Sequence, residues 1–158
     1  MLIRWLLAAI HLLAFGFALA SILRRTSALR RCNGPVVSPE ILRTVFRADA
    51  IWGLSALALI VTGLTRAFGG VEKGAAYYLH EPLFLAKMGA LILILLFEIP
   101  PMVALIKWRI ELRKGGIPDF GRAMFFANLG VIQAWLLVVM VFAASGMARG
   151  IGLPSDAV

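Results

Sequence analysis

Four stretches of this chain are apolar for long enough to cross a lipid bilayer, and nothing else in the sequence constrains its fold as strongly. A hydrocarbon core about 30 Å thick asks for about 20 apolar residues in a helix. The stretches at 2–23, 46–66, 82–107 and 120–147 meet that requirement. Of the 158 residues 61% are hydrophobic and only 15% charged, whereas a water-soluble domain is about half apolar and a quarter charged. The excess must face lipid. The expected fold is therefore all-α, a single four-span membrane domain over residues 1–158 arranged as an up-down-up-down helix bundle.

The formal net charge of +8 does not indicate a nucleic-acid binder, which needs a polar Lys/Arg-rich face that these apolar runs leave no room for. The charge instead orients the bundle. Eleven basic residues (Arg24, Arg25, Arg30, Arg31, Arg43, Arg47, Lys107, Arg109, Arg113, Lys114 and Arg122) fall at one end, and Arg4, Arg66, Lys73 and Arg149 fall at the other. By the positive-inside rule the first group is cytoplasmic, both termini lie outside, and the location is a bacterial cytoplasmic (inner) membrane. Arg24, Arg25, Arg30 and Arg31 read as orientation charges able to meet anionic lipid headgroups. Ala18-Leu19-Ala20 before Ser21 has the form of a signal-peptide cleavage site. The apolar stretch is too long for that reading, and the arginines after it oppose export.

Short connections join the spans. Ser38-Pro39-Glu40 reads as an N-cap with an N1 proline, so the second helix starts before its apolar run. Pro118-Asp119 can start the fourth, Tyr77 and Tyr78 are placed at an interfacial depth, and Pro100-Pro101 is expected to kink the third helix. Cys32, the one cysteine, excludes a disulfide within the chain and any thiolate cluster, and it reads as an inert thiol.

Ionisable groups inside spans are expensive and so carry the functional signal. His80, Lys87 and Glu98 are separated by close to whole helical turns and can share one stripe of the third helix. The first helix offers Arg4, Ala8, His11, Phe15 and Ala18 on one side. The second offers Asp49, Trp52, Ser55, Leu59, Thr62 and Arg66. On the fourth, Asn128 and Trp135 share a face from which Gln133 is turned away. His11 and Lys87 lie at similar depth, and helices one and three are diagonal partners about 13 Å apart in such a bundle. That gap suits a flat cofactor, a b-type haem with His11 on one side and His80 or Lys87 on the other. The plainer reading makes the histidines hydrogen-bonding groups and the Lys and Glu structural ion pairs. No zinc or copper motif occurs.

The stretches RADAIWGLSALALIVTGLTRAF at 47–68 and YYLHEPLFLAKMGALILILLFEIPPM at 77–102 resemble a family of small bacterial inner-membrane proteins, domain of unknown function 2214, over all four spans. The resemblance implies the fold and the location. His11, Thr62-Gly63 and Lys87 also resemble a pattern in HemJ-type protoporphyrinogen oxidases and copper-resistance-D-like membrane proteins. That likeness implies His11 as an axial haem ligand and Lys87 as its charged partner or second ligand. Competing functional readings are a small transporter or permeation subunit with Asp49, Lys87 and Glu98 along a polar path, acting as a homo-oligomer, and a structural or assembly partner of a larger membrane complex.

Overall fold

The computed structural model describes residues 1–32, 34, 37–69 and 80–151. The loop tyrosines Tyr77 and Tyr78 lie outside them. The described residues include four long helices, α1 (Leu2–Arg30), α2 (Pro39–Phe68), α3 (Pro82–Arg113) and α4 (Ala123–Ala148), and no strand. Each helix is long and apolar enough to cross a membrane.

The helices exceed the apolar runs mostly at the end where the basic residues gather, called here the basic end; the opposite one is the terminal end. The N-cap expected at Ser38 forms: its hydroxyl accepts from the Ile41 N–H at 3.4 Å, with Pro39 in the first turn. Gly115 stops α3 with φ +77°, the left-handed conformation a glycine adopts without strain, and the Gly116 N–H donates back to the Glu111 carbonyl at 3.0 Å. The fourth helix starts at Ala123 rather than Phe120. The Asp119 carboxylate accepts from the Gly121 N–H at 2.8 Å and forms a turn, while Phe120 packs edge-on against Trp108. Pro100 and Pro101 sit inside α3, which stays helical through both.

The helices alternate in direction. α1 packs closely on α2 and α4, and α3 packs on α4; the pair α2 and α3 makes no comparable interface. The bundle is thus a chain of three tight seams, α2–α1–α4–α3, with a looser fourth. Small residues make the tight seams. Gly130 of α4 faces Thr26 of α1 so closely that a Cβ at 130 would lie 2.2 Å from the Thr26 hydroxyl oxygen.

Two apolar clusters fill the interior. One, at the basic end, includes Leu29, Val45, Leu105, Trp108 and Phe126. The other includes Ala18, Ile22, Trp52, Ile94 and Leu137. On every helix one polar residue separates the two clusters: Arg25 between Ile22 and Leu29, Asp49 between Val45 and Trp52, Glu98 between Ile94 and Leu105, and Gln133 between Ala127 and Leu137. The core is two apolar layers with a polar layer between them.

Candidate functional site

Arg25 is the centre of the polar layer. It is 1% exposed, and its guanidinium pairs with both Glu98 oxygens, at 2.5 and 2.6 Å. The same group reaches the Asp49 carboxylate at 3.0 Å and the Gln133 amide oxygen at 3.2 Å. The other Asp49 oxygen accepts from Arg109 at 2.8 Å, and Arg109 also donates to the Phe46 carbonyl and stacks over the Phe46 ring. The Gln133 amide nitrogen donates to Glu98 at 2.8 Å and to the Ile94 carbonyl at 3.1 Å. Two guanidinium and two carboxylate groups leave the layer formally neutral. Fork-to-fork pairing of guanidinium and carboxylate is the geometry that best offsets the cost of taking both out of water.

This layer revises several sequence expectations. Arg25 does not lie on the surface, as the exposed Arg24 next to it does; it is buried in the bundle. Asp49 and Glu98 do lie inside the bundle, but with each other and not with Lys87. On α4 Gln133 is indeed turned away from Asn128 and Trp135, and its face is the inner one: Gln133 is fully buried, while Asn128 is exposed and Trp135 is 67% exposed. A signal for Arg25 was present. The α1 stripe through His11 and Ala18, continued at the same spacing, passes Ile22 and reaches Arg25.

Nearer the terminal end lies the second feature, a slot in the loose seam between α2 and α3. It is a narrow cavity of about 80 Å³. The walls are apolar, with Leu59, Leu64, Phe84, Leu91 and Leu137 among them, and among the described residues His11 and Lys87 bring the side chains with ionisable groups. Thus the two residues expected to face each other do line one cavity. His11 Nδ1 lies 2.7 Å from the Thr62 hydroxyl oxygen, and Thr62 in turn donates to the Ala58 carbonyl at 2.6 Å. Gly63 gives the ring room: a Cβ there would meet the His11 Cε1 at 3.4 Å. The α2 stripe is as expected, with Trp52, Ser55, Leu59 and Thr62 buried.

His80 does not join this group. It is exposed, just ahead of α3, and does not line the slot. Lys87 and Glu98 are about 16 Å apart along the helix axis at 1.5 Å per residue, and the apolar layer with Ile22, Ile94 and Leu137 lies between the slot and the polar layer. Among the described residues no group of three or more His, Cys, Asp or Glu is gathered as for a metal ion.

A family described as "predicted membrane protein", DUF2214, matches residues 3–152. The chain belongs to the DUF2214 family. The match covers all four helices of this DUF2214 protein, so the slot and the polar layer both lie within the family's domain. No curated protein and no solved structure matches the chain.

Proposed function

We propose that this DUF2214 protein holds a planar, apolar cofactor, b-type haem, in the slot between α2 and α3 and serves redox chemistry in the membrane. One observation carries the reading: His11 and Lys87, from two helices that share no tight seam, line one apolar slot open to the side of the bundle. Haem iron takes an axial nitrogen from the protein, and the macrocycle's body asks for apolar walls. His11 would hold the iron through a ring nitrogen, and Lys87 would supply the cation for a peripheral carboxylate or a second ligand. Thr62 meets the usual requirement that a ligating imidazole be anchored through its other nitrogen. The slot as it stands is narrow, so α2 and α3 must part to admit a macrocycle, and theirs is the seam that lacks tight packing.

The asymmetry of basic residues supports a bacterial cytoplasmic membrane with the basic end inside and the slot in the outer half of the bilayer. The transporter reading fares less well against the apolar layer between Lys87 and Glu98. A reduced-minus-oxidised spectrum of the detergent-solubilised protein, expressed with haem supply, tests the proposal. The expected result is a Soret band that His11→Ala removes and Lys87→Ala weakens or shifts. A wild-type protein with no such band, or a band indifferent to His11→Ala, overturns it.

A further inference from the structure

We propose that the outer groove between α1 and α2 at the basic end binds an anionic phospholipid, its headgroup on Arg24, Arg31, Arg43 and Arg47 and an acyl chain along the seam toward the membrane interior. The site is separate from the slot and does not depend on what the slot holds. Its place follows from how the two helices align. They run antiparallel, with His11 beside Thr62 and Arg25 beside Asp49. By that alignment Arg47 lies between Arg24 and Arg31 in height, and Arg43 lies level with Arg31. At 1.5 Å per residue the four occupy about 10 Å of height, on helices whose axes pack about 8 to 10 Å apart.

Rotation puts them on one face. Thr26, against Gly130, marks the flank of α1 that meets α4. At about 100° per residue, Arg24 and Arg31 fall on the opposite flank, beside α2, while Arg30 falls on the α4 side. On α2 Phe46, bonded to Arg109, marks the flank toward α3; Arg47 falls on the other flank, beside α1, and Arg43 points outward between them. All four are exposed. Orientation in the membrane asks for basic residues at this end on any face, so their gathering on one groove is a further property. Four arginines against Glu40, exposed at the start of α2, leave a surplus of three positive charges there. Guanidinium forks match phosphate oxygens, and basic residues at the edge of a span attract anionic headgroups. Farther into the membrane the same two flanks carry Phe17, Ile51 and Leu54, all exposed. A soluble anion would use the arginines alone; a phospholipid uses both parts.

The test uses detergent-solubilised protein, in which insertion orientation has no influence. Phosphatidylglycerol and phosphatidylcholine with the same chains are titrated in separately, and bound lipid is counted by native mass spectrometry. Wild-type protein should bind phosphatidylglycerol the more tightly. Arg31→Gln weakens that binding by about 5-fold, the effect of one basic residue near an anionic surface. Arg30→Gln, which removes the same charge at nearly the same height on the other flank, leaves it near wild type. The triple variant Arg24→Gln/Arg31→Gln/Arg47→Gln loses the preference over phosphatidylcholine. Thermal unfolding without added lipid checks that it is folded, and if it is not, the single variants decide. Three results overturn the proposal: no preference for phosphatidylglycerol in wild type; equal weakening by Arg30→Gln and Arg31→Gln, which marks general attraction to the basic end; or full displacement of the lipid by an equal concentration of inorganic phosphate, which marks a soluble-anion site.

Discussion

Arg25 shows how much one side chain can decide in a medium without water. With Arg25→Leu, Glu98 loses the guanidinium it is paired with and Asp49 loses one of its two, while both stay inside, and breaking a buried pair in this way costs about 3–5 kcal/mol. The expected outcome is a large drop in thermal or denaturant stability in detergent. The Arg25→Leu/Glu98→Leu double variant should recover a good part of it, because no lone charge is left facing Arg25's place; a double variant worse than the sum of the singles would contradict this. Cys32 is a quieter case. It lies just beyond α1, buried and bonded to the Ala28 carbonyl, and burial raises its thiol above the ordinary range. Near neutral pH maleimide should therefore label it much more slowly than a cysteine at exposed Ser27 in a Cys32→Ser background, with the gap narrowing as pH rises. Because the folded state disfavours the thiolate, this group's contribution to stability is full below the ordinary thiol pKa and declines as pH rises through the raised value.

Among the elements, the seams differ in kind. The α1–α4 seam depends on a missing side chain at Gly130. Gly130→Ala drives a methyl group into the Thr26 hydroxyl and should destabilise by about 1–3 kcal/mol, as overpacking does. Thr26→Ala in the same protein should return most of that loss, measured by unfolding in mild detergent. The α2–α3 seam instead depends on polar ties at its basic end, where Arg109 meets Asp49, the Phe46 carbonyl and the Phe46 ring. Arg109→Ala should lengthen the distance between spin labels at exposed Leu57 and Leu96, while a label pair across α1 and α4 stays unchanged. Equal lengthening of both pairs would mean general loosening. Helix identity and approximate extent were readable from apolar length, cap and glycine signals. The partner of each helix was not, because apolar faces of similar composition do not say which of them will meet.

For the whole molecule the surplus of positive charge is, on the proposed reading, an orientation signal with two exceptions. Of the eleven basic residues at one end, Arg25 and Arg109 turn inward to the polar layer, and the rest remain to set the topology. A reporter active only outside the cytoplasm, fused after the C-terminus, should be active. Neutralising exposed Arg24, Arg30 and Arg31 together should lower that activity by mixing orientations, and the same number of neutral substitutions at the terminal end should not. An inactive reporter in the unmodified chain would reverse the assignment.

Membrane location, four helices and their alternation follow from the sequence alone, since the length of an apolar run and the distribution of charge are properties of the linear chain. His11, Thr62 and Lys87 were visible there as well, because an ionisable or hydroxyl group in an apolar run stands out against lipid. Which polar groups meet was decided by the tertiary structure. The rotation of each helix about its axis placed Gln133 inside and Asn128 outside, joined Arg25 to Glu98, and separated Lys87 from both. That rotation depends on side-chain packing across the seams, on such details as the absence of a Cβ at Gly130, and a helix apolar nearly all round carries little periodicity from which to read it.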